Sequence, residues 1–310
     1  MQVHFGLGLL QAEWKQSVAC VGTFDGVHLG HQAVIRQAVL QAQEAELPCI
    51  LVTFDRHPTA ILAPSRCPKS ISGIQENLEV FERLGVSAAV VLPFDAELSR
   101  TSAERFLREI LIGSVKASSI VVGHDFAMGN GREGNAEWLA ARIPAMIVPP
   151  FEIDGTRVSS SRIRDAVTSG RVEDAAQLLG RPFALSGVVV GGQKLGRQLG
   201  YPTANLARSF DQVVPENGIY AGWVQCSRGR YKASISIGVR PTVGGGDRAI
   251  EAYLIDYPGD SLYGLSIEIQ FVSRLREELK FVSLDALKAQ IAADVEDTRL
   301  LLRNDLFSPS

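Results

Sequence analysis

Two stretches of the chain combine residue types that can handle phosphate. The first is Val21-Gly22-Thr23-Phe24-Asp25-Gly26-Val27-His28-Leu29-Gly30-His31-Gln32. An apolar run enters a turn punctuated by Gly22, Gly26 and Gly30 and leaves as a helix. A helix N-terminus offers free N–H groups and partial positive charge, which suit a phosphate. His28 and His31 can both address one anion there and stabilise charge during phosphoryl transfer. A single histidine at a helix start most often only hydrogen-bonds. Here two of the five histidines share one turn, which favours the chemical reading. Neither a Gly-x4-Gly-Lys-Ser/Thr nor a Gly-x-Gly-x-x-Gly cradle is present, so the phosphate site is of another kind. A further anion site is expected at Ser159-Ser160-Ser161-Arg162-Ile163-Arg164, where hydroxyls and then guanidiniums open a helix.

The second stretch is Gly191-Gly192-Gln193-Lys194-Leu195-Gly196-Arg197, followed by Gly200-Tyr201-Pro202-Thr203-Ala204-Asn205. Glycine backbone with Lys194 and Arg197 can wrap a polyphosphate. Thr203 and Asn205 supply neutral oxygens of the kind that share a magnesium ion with substrate phosphates. Glycines and basic residues alone read more often as a barrel hairpin with solvated charges. Glu251, at a strand start, reads on its own as a solvated carboxylate.

The surrounding elements define the frame. In 310 residues, apolar runs at 17–22, 49–54, 88–92, 120–122 and 145–148 alternate with helical patterns at 32–45, 75–84, 102–112 and 133–142. Continuous apolar strands separated by helices predict a parallel sheet covered on both faces. Two helices follow, at 160–169 and 172–179. The rhythm then becomes strand after strand (184–190, 218–225, 231–237, 250–255, 265–272), with a long turn at 241–246 and a closing helix at 284–302. This predicts a small antiparallel barrel with a C-terminal helix. The expected fold is therefore α/β, a Rossmann-like domain followed by a barrel, with the boundary at 181–186.

Composition narrows the function classes. Hydrophobic residues make up 46% of the chain and the net charge is −3, which excludes disorder and gives no electrostatic reason for nucleic acid or an anionic membrane as partner. Mean hydropathy is +0.09. No apolar run approaches the roughly 18 residues of a membrane span. Residues 1–10 have no basic region before their apolar residues, which argues against a secretory signal. Cys20, Cys49, Cys67 and Cys226 are scattered, form no Cys-x-x-Cys, and read as small buried hydrophobes of a cytoplasmic protein. The sequence sets no oligomeric state.

The motifs together carry a resemblance. His28-Leu29-Gly30-His31 with the Ser-Ser-Ser-Arg-Ile-Arg run resembles the nucleotidyltransferase superfamily. Gly123-His124-Asp125-Phe126, Gly129-Asn130-Gly131-Arg132-Glu133-Gly134, Leu179-Gly180-Arg181-Pro182-Phe183 and Pro202-Thr203-Ala204-Asn205 look like the bacterial bifunctional riboflavin kinase/FAD synthetase family, over residues 16 to 302. The resemblance implies an FMN adenylyltransferase domain at 1–183 and a riboflavin kinase domain at 184–310. It implies ATP as co-substrate, Mg2+ as cofactor, and riboflavin, FMN and FAD as substrates and products. His28 and His31 would be catalytic in the first domain, with Gly22, Phe24, Gly26, Gly30, Ser159, Ser160, Arg162 and Arg164 binding the nucleotide. In the second, Glu251 would be the catalytic base, Thr203 and Asn205 the metal ligands, and Gly192, Lys194, Gly196, Arg197, Pro202 and Thr203 the nucleotide site. Asp125, Phe126 and Arg276 would line flavin.

The chain departs from the family pattern at Arg56, Asn77, Ala127, Met128 and Gly191. The changes at 56, 127 and 128 bear on flavin or adenine affinity in the first domain. They keep two alternatives open: a riboflavin kinase with an impaired first domain, and a flavin-binding protein without turnover.

Overall fold

The fold is described from a computed structural model over residues 1–8, 14–192, 195–208, 210–239, 248–259 and 261–303, without the side chains of Leu195 and Arg197. Of the expected site residues, Lys194 lies outside this set, as do the side chain of Arg197 and the turn at 241–246. The chain forms two compact units, Met1–Ser160 and Ser161–Ser310.

The first unit holds the expected parallel sheet. Its strands are β1 (Gln2–Phe5), β2 (Ser17–Val21), β3 (Cys49–Phe54), β4 (Ala88–Leu92), β5 (Ala117–Gly123) and β6 (Ala145–Val148), in spatial order β1-β4-β3-β2-β5-β6. Strands β2 and β4 are buried at every residue because helices cover both sheet faces. On one face Ala19, Val21, Ile50, Val52, Val90 and Ile120 pack with Phe106, Leu107, Leu111 and Leu139. On the other Val18, Cys20, Leu51, Val91 and Val121 pack with Val34, Ile35, Ala38 and Phe81. Helices α1 (Leu29–Glu44) and α2 (Ile74–Arg83) supply the second set.

Several elements differ from expectation for local reasons. Strand β1 is an added edge, too short and too polar to register as a buried parallel strand. The helix expected at 102–112 is α3, starting at Ala103–Arg105, and it widens to i→i+5 bonding over Phe106–Ser114. Gly113 permits this, since a Cβ there would sit 2.9 Å from the Arg108 carbonyl oxygen. The helix expected at 133–142 is only α4 (Ala136–Ala140). Gly134–Asn135 instead pairs with Ala127–Met128, and the Asn135 side chain caps α4 by accepting from the Trp138 N–H at 2.8 Å.

The second unit contains α5 (Ser160–Thr168, its first residue belonging to the first unit), α6 (Val172–Leu179) and a closed antiparallel barrel. Its strands are β7 (Phe183–Val190), β8 (Ala204–Ala207), β9 (Gly218–Cys226), β10 (Gly229–Val239), β11 (Arg248–Leu254) and β12 (Ser266–Arg276), in order β7-β8-β11-β10-β9-β12, with β12 pairing back to β7. The short α7 (Leu195–Leu199) precedes β8, and α8 (Leu284–Leu301) packs on β9, β10 and β12.

The compact division falls after the first residue of α5, whereas the sequence boundary follows both α5 and α6. Helix α6 packs on β7 and β12, and Glu173 accepts from the Ser273 hydroxyl at 2.5 Å and the Arg274 N–H at 3.1 Å. Among the described residues no helix is long and apolar enough to cross a membrane.

Candidate functional site

The first constellation is assembled as a single turn. Strand β2 ends at Val21, and α1 begins at Leu29 with His28 as its N-cap, the His28 Nδ1 accepting from the His31 N–H at 3.2 Å. With Nδ1 accepting, a neutral His28 carries its proton on Nε2. The two imidazoles stack with centroids 3.6 Å apart, and Phe24 meets His31 edge-on at 5.4 Å. Gly30 fits under His28, since a Cβ there would lie 3.1 Å from the ring.

The turn carries backbone strain. Phe24 has φ 47°, Gly26 78° and Val27 39°. Positive φ is an outlier for β-branched Val27, and such strain collects where the surroundings fix a functional conformation. The surroundings here are specific. Asp25 Oδ1 accepts from the Ile71 N–H at 2.9 Å, and Gln32 donates to the Val27 carbonyl at 3.0 Å. Ser160 donates to the Asp25 carbonyl at 3.3 Å, and Thr53 to that of Thr23 at 3.3 Å. A Cβ on Gly26 would meet Ile71 at 2.7 Å, and one on Gly22 would meet the Phe24 ring at 2.8 Å.

The electrostatics keep His31 neutral. Burial pulls its pKa well below the ordinary value, and the nearby His28 and Arg157 add to this. Its Nδ1 is buried with no hydrogen-bond partner. Arg157, which the sequence reading did not single out, pairs with Asp125. Burial pushes the Asp125 carboxyl up, but the Arg157 hydrogen bond and charge outweigh it and hold the group below its usual range. Arg132 also donates to the Asp125 carbonyl, at 3.3 Å.

The remaining first-domain residues fall into three groups. Gly22, Phe24, Gly26, Gly30 and Ser160 belong to the histidine turn or touch it. Phe126 is half-buried against the core, and Ser159 is half-buried ahead of α5. Arg162 and Arg164 sit half-buried on α5, in the second unit. Of the departures, Met128 is buried in the core and Arg56 is held by Asp55 at 2.7 Å.

The second constellation lies on the outer face of the barrel. Strand alternation turns Ala233, Ile235, Ile237, Ile250, Ala252 and Leu254 inward, all buried. Ser234, Ser236, Glu251 and Tyr253 therefore face outward. Glu251 is opposite Asn205 on one side and Ser236 on the other. The Thr203 hydroxyl donates to Glu251 Oε2 at 2.9 Å. Asn205 is buried beneath Gly192, where a Cβ would sit 2.4 Å from its amide nitrogen. Gly196 has the same role against Tyr201, whose carbonyl oxygen would be 2.4 Å from a Cβ there. Pro202 joins Tyr201 to Thr203.

Hydroxyl and amide oxygens with one carboxylate form a hard oxygen donor set, the kind that suits magnesium bound jointly with substrate phosphates. Among the described residues, no group of three or more His, Cys, Asp or Glu forms a metal cage.

Arg276 shares a cross-strand row with Glu251: it pairs with Ile219 of β9, which pairs with Ser236 of β10 opposite Glu251. The Arg276 guanidinium forks onto Asp294 of α8, with Nε to Oδ1 at 2.8 Å and Nη2 to Oδ2 at 2.6 Å. Gln290 donates to the same carboxylate at 3.0 Å. The sequence reading missed Asp294, because a partner 18 residues away on another element leaves no periodic trace.

Residues 10–162 match the family model for FAD synthetase, and residues 179–302 that for riboflavin kinase. A bifunctional riboflavin kinase/FMN adenylyltransferase of Haemophilus influenzae is 34% identical over 305 residues, covering 96% of this chain and 98% of that protein. The corresponding Pseudomonas fluorescens protein is 36% identical over 307 residues, covering 97% and 98%. A crystal structure described as a macrolide-efflux protein from Streptococcus pneumoniae superposes with a TM-score of 0.88 at 32% identity, over 96% of this chain and 99% of that one. With two family models and relatives matched along nearly their whole length, this chain belongs to the bifunctional riboflavin kinase/FMN adenylyltransferase family.

Proposed function

We propose that the chain catalyses two successive ATP-dependent steps. Riboflavin becomes FMN in the barrel domain, residues 184–310, and FMN becomes FAD in the first domain, residues 1–183. One observation carries the reading: a stacked His28–His31 pair in a strand–turn–helix and a Thr203–Glu251 contact beside Asn205 on a barrel occur in one chain.

In the kinase step the ribityl primary hydroxyl oxygen bonds to the γ-phosphorus of ATP, the bond to ADP breaks, and Glu251 accepts the hydroxyl proton. Thr203 and Asn205 would hold Mg2+ together with the nucleotide's phosphates beside Gly192, Gly196 and Pro202, and Lys194 and Arg197 would add positive charge for those phosphates. The chemistry supplied by such an ion would be neutralisation of charge on those phosphates. Arg276, fixed by Asp294, borders the flavin.

In the adenylyl step an FMN phosphate oxygen bonds to the α-phosphorus of ATP and pyrophosphate leaves. His28 and His31 donate hydrogen bonds to the phosphoryl oxygens as charge builds. Gly22, Phe24, Gly26 and Gly30 let the backbone approach, and Ser159, Ser160, Arg162 and Arg164 hold the leaving phosphates. Asp125 and Phe126 line the flavin side. The ligands are small molecules, and the chain works in the cytoplasm.

The test is to incubate the protein with riboflavin, ATP and magnesium and to separate the flavins by chromatography. FMN followed by FAD supports the reading. FMN alone removes the adenylyl step, and flavin binding without product removes both.

A further inference from the structure

Thr203 meets Glu251 through a contact that lies outside the barrel's hydrogen-bonded ladder. Strands β8 and β11 pair only at Ala204 with Ala252 and Asn205 with Glu251. Thr203 precedes β8, so nothing in the ladder fixes where its hydroxyl points. A second pair lies one step further along the same diagonal. The rings of Tyr201 and Tyr253 meet edge-on with centroids 5.2 Å apart and planes at 79°. Tyr253 shares the outer face with Glu251, two residues along β11, as Tyr201 lies two residues before Thr203. Pro202 between them has a locked φ, so the position of Tyr201 is passed on to Thr203 with little slack. Tyr201 is also tied to the glycine loop, its N–H donating to the Gly196 carbonyl at 2.7 Å. Tyr253 is half-buried, and burial, with the nearby Tyr201, pushes its phenol up.

We propose that Tyr253 is a positioning residue for phosphoryl transfer: its ring holds Tyr201 and thereby sets the Thr203 hydroxyl against Glu251. This rests on the kinase assignment of Thr203 and Glu251. Edge-to-face rings are a specific geometry rather than general apolar contact, so the ring itself is what matters. The phenolic hydroxyl is dispensable, and Tyr253→Phe keeps the function. Misplacing a reacting group by about 1 Å costs on the order of 100-fold in rate, so a partial loss of register costs about 10-fold or more.

The test measures FMN formation by the full chain in a double-mutant cycle. Tyr253→Ala and Tyr253→Leu, the latter keeping apolar bulk, each lower kcat about 10-fold or more, while Tyr253→Phe stays within about twofold. In a Thr203→Ala background the same Tyr253→Ala change costs less than about twofold, because the group it positions is gone. A purely structural role would give the same loss in both backgrounds, and that result overturns the proposal. So does a Tyr253→Phe loss equal to that of Tyr253→Ala. Glu251→Gln is assayed alongside. Retained FMN formation there removes the kinase assignment itself. Loss there with parental activity in Tyr253→Ala removes only the clamp.

Discussion

Replacing Asp294 with alanine leaves the Arg276 guanidinium facing an empty pocket. Asp294 is 5% exposed and Arg276 19%, and the pair is joined by two hydrogen bonds at 2.8 and 2.6 Å. Removing one partner of a buried ion pair typically costs about 3–5 kcal/mol, because the other charge is left uncompensated. Arg276 keeps some solvent access, which lowers the expected cost to about 2–3 kcal/mol. For a domain of this size each kcal/mol moves the midpoint by about 2–4 °C, so the barrel should melt about 5–10 °C lower. Two units need not unfold together, so the barrel needs its own probe. Trp223 lies in it, and Trp14→Phe with Trp138→Phe makes Trp223 fluorescence that probe. Replacing both partners, as Arg276→Leu with Asp294→Leu, should recover part of the loss, since no unpaired charge remains. A midpoint within about 2 °C of the parent for Asp294→Ala, or a double variant worse than the sum of the singles, refutes the reasoning.

Other consequences follow from the same geometry. His31 has a folded pKa well below its unfolded value near 6.5, so the unfolded chain binds more protons between the two. Stability of the first unit is therefore full above about pH 6.5 and falls as pH drops below it, by at most about 1.4 kcal/mol per pH unit. Denaturant midpoints from pH 7.5 to 5 should show this slope, and His31→Asn should flatten it. Gly192→Ala forces its Cβ against the Asn205 amide and should lower FMN formation about 10-fold or more, with FAD formation from supplied FMN unchanged. Cys20, Cys49 and Cys226 are buried, and burial raises the Cys49 thiol to about 12 and that of Cys20 well above its ordinary value. A thiol reagent should therefore label Cys67 first in the folded protein, and mass mapping checks the order.

How far the sequence carried depends on the range of each signal. Buried strands such as Cys49–Phe54 are legible because both faces demand apolar residues. The barrel is legible from alternation, as in Gly229–Val239. The histidine turn is legible because glycines, imidazoles and a helix start fall within twelve residues. The rest depends on distant partners. Asp294 reaches Arg276 across 18 positions, and Arg157 reaches Asp125 across 32. Helices α5 and α6 look like part of the α/β rhythm, yet α6 packs on the barrel, which no local pattern reveals. Glu251 had no distinguishing spacing of its own. Its chemistry becomes visible only where β11 sets it beside Thr203 and Asn205.

The division of labour between the two domains is tested most directly with His28→Ala and Glu251→Ala, each assayed for FMN from riboflavin and for FAD from supplied FMN. His28→Ala should lose FAD formation by about 100-fold or more and keep FMN formation. Glu251→Ala should lose FMN formation by about 100-fold or more and keep FAD formation. Loss of both activities in a folded variant, or of neither, contradicts the account.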